Sequence, residues 1–362
     1  MPLMPHFFDL DRDDLRQWVA AQGMPAYRAE QLLEWVYGRH VVDPRQMTNI
    51  SKRERETLAE TMAWRRGTAV RHQRATDGVQ KLLIDWREQA SPSLTVLDNP
   101  QTQTECVMIP AVSEAERERR TACISSQIGC AVGCRFCASG LGGLDGDLTA
   151  GQIVEQVWQL AALPGIERIS HIVFMGMGEP LANFTEVVRA VRTLTADWAT
   201  GISARRITIS TVGLPAQIRR LAAIELPVTL AISLHAPNDE LRRSLIPWAE
   251  YVSIDQLVDA GRDYFDRTGR EITLEYILLR EVNDRIDHAR ELAQVARRLR
   301  SNVNLIRYNE VRGMPYDRPR SEDVHVFQAE LRRAGVNAHI RASRGRDIAA
   351  ACGQLRHERA TT

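Results

Sequence analysis

The chain has 362 residues, 44% of them hydrophobic, and a formal net charge of +1. That size suits one large α/β domain with a small companion, and that hydrophobic share excludes a largely disordered chain. The near-balanced charge excludes a protein whose whole surface tracks nucleic acid, while leaving room for a local basic patch facing RNA.

The opening stretch, MPLMPHFFDLDRDD, has no basic segment followed by an apolar one, and no uncharged apolar run reaches membrane-spanning length. A cytoplasmic chain with no membrane partner is therefore expected. Residues 1–68 predict a small all-helical domain, with DLRQWVAAQG closing at Gly23, AYRAEQLLEWVYG closing at Gly38, and SKRERETLAETMAW capped by Ser51. Its expected core is Trp18, Leu32, Leu33, Trp35 and Val36. Residues 69–119, with the short apolar runs VQKLLIDW and TECVMIP, predict a connector of paired strands.

From residue 120 to 362 the strand-like runs TACISSQ, HIVFMGMG, ITISTVG, VTLAISLHA, ITLEYILL and VNLIRYN alternate with helix-period stretches such as TAGQIVEQVWQLAAL and FTEVVRAVRTLTAD. The fold class this predicts is α/β, a partial (β/α)6 barrel following the helical domain. Thr149 is placed to cap the first barrel helix, Pro164 lies just past its end, and Ile153, Val154, Val157 and Leu160 make its buried stripe. In such barrels the chemistry sits at the carboxyl ends of the strands.

Cys130, Cys134 and Cys137 stand in a C-x-x-x-C-x-x-C loop directly after the first barrel strand. Three thiolates at this spacing suit an iron-sulfur cluster with one iron left open to S-adenosylmethionine (SAM). A structural cluster or a four-cysteine zinc site would have a fourth cysteine close by, whereas the others are Cys106, Cys123 and Cys352. The next strand ends in Gly176-Met177-Gly178-Glu179-Pro180, where glycines permit close approach to a ligand and Glu179 suits the methionyl amine of SAM. Alone, that run would be a tight turn.

Ser210, the run Ser233-Leu234-His235, and Asn309 fall at three further strand ends and suit a ribose, a carboxylate and an adenine edge. Each taken singly is as often a turn residue, and His235 as often a structural histidine, so the assignment depends on their converging on one mouth. Cys352, flanked by small residues and followed by Gly353, suits an exposed thiol on a flexible turn. Cys123 is a lone strand thiol, and Glu105 by default a solvated carboxylate. The clusters Arg117, Arg119 and Arg120, Arg205 and Arg206, Arg219 and Arg220, Arg242 and Arg243, and Arg297, Arg298 and Arg300 each read as a solvated helix face, and together they permit RNA.

The blocks CISSQIGCAVGCRFCASG, FMGMGEPLAN, ISLHAPND, LEYILLREVND, VNLIRYN and DIAAACGQL resemble, in order, the RlmN/Cfr family of radical-SAM RNA methyltransferases, over residues 9 to 356. Pro180, completing GMGEP, and the helical N-terminal segment make the chain more similar to the adenine-C2 branch than to the Cfr branch. The resemblance implies a 4Fe-4S cluster on Cys130, Cys134 and Cys137, and SAM contacts from Gly178, Glu179, Ser210, Ser233, Leu234, His235 and Asn309. It implies that Cys352 carries a methyl group, that Cys123 resolves the product by pairing with it, and that Glu105, in its ECVMIP context, is the general base.

The activity implied is formation of 2-methyladenosine in the peptidyl-transferase centre of 23S rRNA and at adenine 37 of tRNA, through an S-methylcysteine and two SAM per turnover. Adenine C2 has no lone pair with which to attack a methylsulfonium, so a radical route is required. An electron donor such as flavodoxin or ferredoxin is expected, and a monomer. The competing enzyme reading is a Cfr-type C8 methyltransferase of 23S rRNA; the competing non-enzyme reading is an iron-sulfur RNA-binding or redox-sensing protein.

Overall fold

The computed structural model describes residues 4–87, 100–110, 119–166 and 168–355. The N-terminal segment is helical: α1 (Arg12–Ala21), α2 (Arg28–Leu33), which runs on into a wider π turn over Glu34–Gly38, and α3 (Lys52–Thr61). Asp11 caps α1 by accepting from the N–H groups of Asp13 and Asp14, and Ser51 and Glu54 form a reciprocal capping box on α3. Leu32, Leu33, Trp35 and Val36 are buried together. Trp18 keeps part of its surface, because α1 turns Leu15 and Val19 inward instead.

The sheet begins with β1 (Thr68–Arg74), β2 (Gln80–Asp85) and β3 (Gln103–Ile109), an antiparallel series whose last member pairs antiparallel with β4 (Thr121–Cys123). The expected connector strands therefore continue the main sheet. A small hairpin, β5 (Gln127–Gly129) with β6 (Leu144–Asp147), brackets the cysteine loop. Then come α4 (Ala150–Ala161), β7 (His171–Phe174), α5 (Phe184–Thr195), β8 (Ile207–Thr211), α6 (Pro215–Ala222) and β9 (Thr229–Ser233). The chain continues through α7 (Asp239–Leu245), α8 (Ile254–Thr268), β10 (Ile272–Leu278), α9 (Ile286–Ala296), β11 (Ser301–Arg307), α10 (Ser321–Arg333) and β12 (Ala338–Arg341).

From β4 through β7 to β12 the strands pair in parallel and in chain order. This is the partial β/α barrel that the sequence predicts. The six parallel strands expected are present, and β12 adds a seventh; its sequence AHIR is too short and too polar to read as a strand in isolation. On α4 the Thr149–Gln152 capping box forms and Ile153, Val154, Val157 and Leu160 are buried. No described helix is long and apolar enough to cross a membrane.

The sheet stays open, with β1 and β12 as its edges. After β12 the chain returns toward the β1–β2 turn and is tied there. Arg344 donates from Nε to Asp77 Oδ2 at 3.0 Å and from Nη2 to the Asp77 carbonyl at 2.8 Å, while Asp347 accepts from the Thr76 N–H at 2.9 Å. Gly345 makes the approach possible: its φ is +65°, and a Cβ there would lie 2.8 Å from Val79 Cγ1.

The helical segment docks on α4 through buried charge. His6 Nε2 lies 3.0 Å from Glu155 Oε2, and Nδ1 lies 3.5 Å from Asp9 Oδ2. Two carboxylates thus flank the imidazole, and both favour its protonated form. Glu155 also accepts from the N–H groups of Arg66 and Gly67, and Asp9 from that of Gly151. Burial opposes the imidazolium, but the two carboxylates outweigh it and the His6 pKa is raised. A raised folded pKa stabilises below the ordinary value near 6.5 and loses that stabilisation as pH rises through the folded value. The melting temperature should therefore fall as pH rises above about 6.5, and His6→Gln should flatten that part of the profile. Glu155→Ala, which strands the histidine, should cost about 3–5 kcal/mol in denaturant titration.

Candidate active site

The cysteine loop is shaped by its flanks. Gly129, at φ +78°, lets the backbone close on Gly143, whose carbonyl accepts from the Cys130 N–H at 2.8 Å. The Arg135 N–H donates to the Leu245 carbonyl at 2.9 Å and the Ala138 N–H to the Gly353 carbonyl at 2.8 Å, so the loop is held by both α7 and the C-terminal segment.

Cys130, Cys134 and Cys137 face a cavity at the carboxyl ends of the parallel strands, together with Gly178, Glu179, Ser210, Ser233 and His235. Five of the seven residues expected at the SAM site thus meet the three cysteines in one mouth. Leu234 turns into the apolar core, with its N–H on the Ile232 and Glu275 carbonyls, and Asn309 lines a different cavity.

The glycines of GMGE have a different immediate role from the one expected. A Cβ on Gly178, whose φ is +103°, would lie 2.6 Å from Gln127 Cβ, and one on Gly176 would lie 2.6 Å from the Ile124 carbonyl oxygen. They let the loop after β7 close against the Ile124–Gln127 segment. Gln127 Oε1 then accepts from the Glu179 N–H at 2.8 Å, and Ser125 Oγ from the Met177 N–H at 2.8 Å.

Glu179 is buried and accepts from the N–H groups of Leu181 at 2.9 Å and Val212 at 2.7 Å; desolvation nevertheless raises its pKa to about 7. Ser210 and Ser233 bring their hydroxyls within 3.3 Å of each other. His235 sits at φ +58° and accepts at Nδ1 from the Ile277 N–H at 3.0 Å, while burial pushes its pKa down to about 3. It is neutral, with its proton on Nε2.

Cys352 is half-buried and lines both this cavity and a second one, where it meets Cys123, Asn309 and Arg341. It lies on a turn, as expected, but half-buried rather than exposed. Asn309 Nδ2 donates to the Cys352 carbonyl at 3.3 Å, Ser139 Oγ to the Leu355 carbonyl at 2.8 Å, and Gln354 Nε2 to the Glu310 carbonyl at 2.9 Å. Asn309 thus bonds to the loop that carries Cys352 and also accepts from Arg318 Nη1 at 3.0 Å. Cys123 is buried, and its thiol is pushed up to about 12, first by desolvation and then by Cys352.

Glu105 is not solvated either. It is buried on β3 and ion-paired with Lys81 of β2 at 2.7 Å. Lys81 Nζ also donates to the Ala349 carbonyl at 3.2 Å, and Lys81, Glu105, Ala349 and Gln354 share a third cavity. Three side chains that the sequence reading missed are Lys81, Glu275 and Arg341, the last two paired at 3.2 Å. A charged residue inside an apolar run, as in VQKLLIDW and ITLEYILL, was the available signal for two of them.

Several arginine clusters are engaged locally. Arg219 pairs with Asp263, Arg220 lies over the Phe184 ring, and Arg298 pairs with Asp255. Arg117 lies outside the described residues.

The radical SAM superfamily model matches residues 124–293, and a model for the N-terminal domain of ribosomal RNA large subunit methyltransferases matches residues 6–63. A crystal structure of a radical SAM methyltransferase from Sphaerobacter thermophilus superimposes with a TM-score of 0.90 at 41% identity, covering 98% of this chain and 100% of that one. Fold and site thus define a radical-SAM methyltransferase. Two curated relatives, both described as probable dual-specificity RNA methyltransferase RlmN, are 42% identical over 359 residues in Rhodopirellula baltica and 45% identical over 344 residues in Gloeobacter violaceus. The alignments span 99% and 95% of this chain and 92% and 93% of those proteins. The chain belongs to the RlmN family of RNA methyltransferases, and the purely binding or redox-sensing reading of its cysteines falls away.

Radical-SAM enzymes use a 4Fe-4S cluster with SAM, and the site's chemistry fits both. The three cysteines are free thiols on one cavity wall. Burial raises all three, Cys130 to about 12, a penalty that coordination to iron reverses. Among the described residues no three metal-binding side chains are gathered around one ion position, whereas a cluster takes each thiolate on a different iron. Gly178→Ala should destabilise the protein by about 1–3 kcal/mol through positive-φ strain, with further loss from the Gln127 contact, read as a lowered urea midpoint.

Proposed function

We propose that this enzyme forms 2-methyladenosine in 23S rRNA and at adenine 37 of tRNA, using Cys352 as the methyl carrier and two SAM per turnover. The observation that carries this reading is the position of Cys352, on the wall of the cysteine-triad cavity and also on the wall of the cavity that holds Cys123. A carrier must receive a group in one place and be relieved of it in another.

In this reading Cys130, Cys134 and Cys137 hold the cluster, and Glu179, Ser210, Ser233 and His235 hold SAM in the same mouth. Gly178 contributes by letting the strand-end loop close. The Cys352 thiolate attacks the methyl carbon of a first SAM; the new S–C bond forms as the sulfonium bond breaks, and S-adenosylhomocysteine leaves. The cluster, when bound, supplies the electron that cleaves a second SAM and starts hydrogen abstraction from the methyl group. The methyl carbon, still on Cys352 sulfur, bonds to adenine C2.

Release falls to the neighbouring groups. The radical adduct gives up its C2 proton to Glu105 or Cys123 and its unpaired electron to the oxidised cluster that the three cysteines would hold; Cys123 sulfur then attacks Cys352 sulfur, the S–C pair passes to the methylene carbon, which takes a proton to become the methyl group, and a disulfide closes. External reductant restores the two thiols. Lys81, ion-paired to Glu105 and bonded to the Ala349 carbonyl, ties the base to the loop that carries Cys352. The target base must leave its stack to reach these groups, which favours a loop or a partly unfolded RNA. A flavodoxin- or ferredoxin-type electron donor, a monomeric state and a cytoplasmic location complete the proposal.

The test is anaerobic turnover with SAM and either a peptidyl-transferase-region rRNA fragment or a tRNA, followed by nucleoside mass spectrometry. We expect 2-methyladenosine with the intact protein and none with Cys352→Ala; 8-methyladenosine would instead place the chain with the Cfr-type enzymes. Cys123→Ala should accumulate a covalent protein–RNA adduct on denaturing gels, and clean product release from it would remove Cys123 from its role.

Glu179 gives a second test. Its raised pKa means that the carboxylate charge facing a SAM amine is lost as pH falls through about 7. SAM binding to the reconstituted protein should weaken between about pH 8 and about pH 6, and Glu179→Gln should bind weakly at both, as read by equilibrium dialysis.

A further inference from the structure

Arg242 is the largest side chain among those the fold buries completely, at 0% exposure. It projects from α7 and donates from Nη1 to the Val252 carbonyl at 3.2 Å and from Nη2 to the Val212 carbonyl at 2.6 Å, while its Nε has no partner. The other buried arginine and lysine among the described residues, Arg28 and Lys81, hold carboxylates at 2.8 and 2.7 Å. Arg242 holds none within such a distance; Asp239 supports it only from farther away, its Oδ1 accepting from the Ile254 N–H.

Two carbonyls need donors, but they do not need a charge; a neutral amide would serve them. A buried cation without an anion is strongly unfavourable, so the charge itself calls for a counter-ion nearby. The cysteine loop packs against the same wall, with Val132, Phe136, Val212 and Leu245 in one apolar cluster that Cys134 adjoins, and the Arg135 N–H on the Leu245 carbonyl. Val212, whose carbonyl the guanidinium holds at 2.6 Å, lines the same cavity as Cys130, Cys134 and Cys137, so the positive charge stands directly behind the wall that the cysteines face.

We propose that Arg242 is the buried counter-charge of the iron-sulfur cluster, a positioning residue that acts beside Cys134 to favour the cluster's reduced state. This rests on the reading that Cys130, Cys134 and Cys137 are the ligands. Reduction adds one electron from the donor and one negative charge to the cluster, and a fixed positive charge in a dry wall stabilises that added charge.

The experiment is an anaerobic redox titration of the reconstituted protein with dithionite, followed by electron paramagnetic resonance, without RNA. Arg242→Gln should make reduction at least tenfold less favourable, a midpoint lower by about 59 mV for one electron. Arg242→Lys should stay close to the intact protein. Asp239→Asn leaves Arg242 and its carbonyl contacts in place while removing the carboxylate that offsets it, and should move the midpoint upward, which keeps the test available if the glutamine variant does not fold. An unchanged midpoint in Arg242→Gln, or, where that variant does not fold, in Asp239→Asn, overturns the proposal. Cys134→Ala separates the two readings: if it reconstitutes the same cluster as the intact protein, the ligand assignment fails, and the role of Arg242 fails with it.

Discussion

An open sheet has two edges whose backbone groups lack strand partners, and in this protein one stretch of chain spans the gap between them. Beyond β12, Arg344 and Asp347 fasten to Asp77 and Thr76 in the β1–β2 turn, and Lys81 of β2 reaches the Ala349 carbonyl. A few residues further on, Ser139 and Ala138 of the cysteine loop hold Leu355 and Gly353. Cys352 lies between these two sets of ties. Its sulfur is therefore placed relative to both the cluster loop and β3–β4 by the same strap, and loosening either end would move the thiol from both cavities it lines.

The site is also a study in what low dielectric does to ionisable groups. Desolvation raises the cysteine thiols and lowers His235, so these rest neutral, and it raises Glu179 to about 7, where its charge is only partly kept at neutral pH. Charge returns only where a partner has been supplied. Arg341 has Glu275, and Lys81 has Glu105. The cysteines depend on iron for theirs, and Glu179 on a cationic ligand; a site organised in this way ties ionisation of its working groups to binding. That coupling limits the exposure of reactive thiolates before the substrates are present.

The helical N-terminal segment follows the same rule on a structural scale. Its contact with α4 is built from His6, Asp9 and Glu155, all facing backbone donors or one another in a dry interface, with Gly151 leaving room for the approach. Packing alone would let two such surfaces slide. Directional polar groups set the register, and they keep the small domain in fixed relation to the barrel on which the RNA chemistry takes place.

Much of this was legible in the amino-acid sequence because it is local. The alternation of strand and helix, the caps at Ser51 and Thr149, the spacing of Cys130, Cys134 and Cys137, and the placement of Glu179, Ser210, Ser233 and His235 at strand ends are properties of short runs, and strand ends of a parallel sheet converge as a matter of topology. Only the tertiary structure could decide the rest. That β1–β3 prolong the barrel sheet, that Glu105 is held by Lys81, that Asn309 bonds to the Cys352 carbonyl, and that Arg242 is buried without a carboxylate are all matters of contact between distant segments. Arg344 and Asp77 are 267 residues apart. A run of residues specifies its own backbone preference and its apolar face, but the partner of a buried polar group is chosen by whatever the completed fold brings within hydrogen-bond reach.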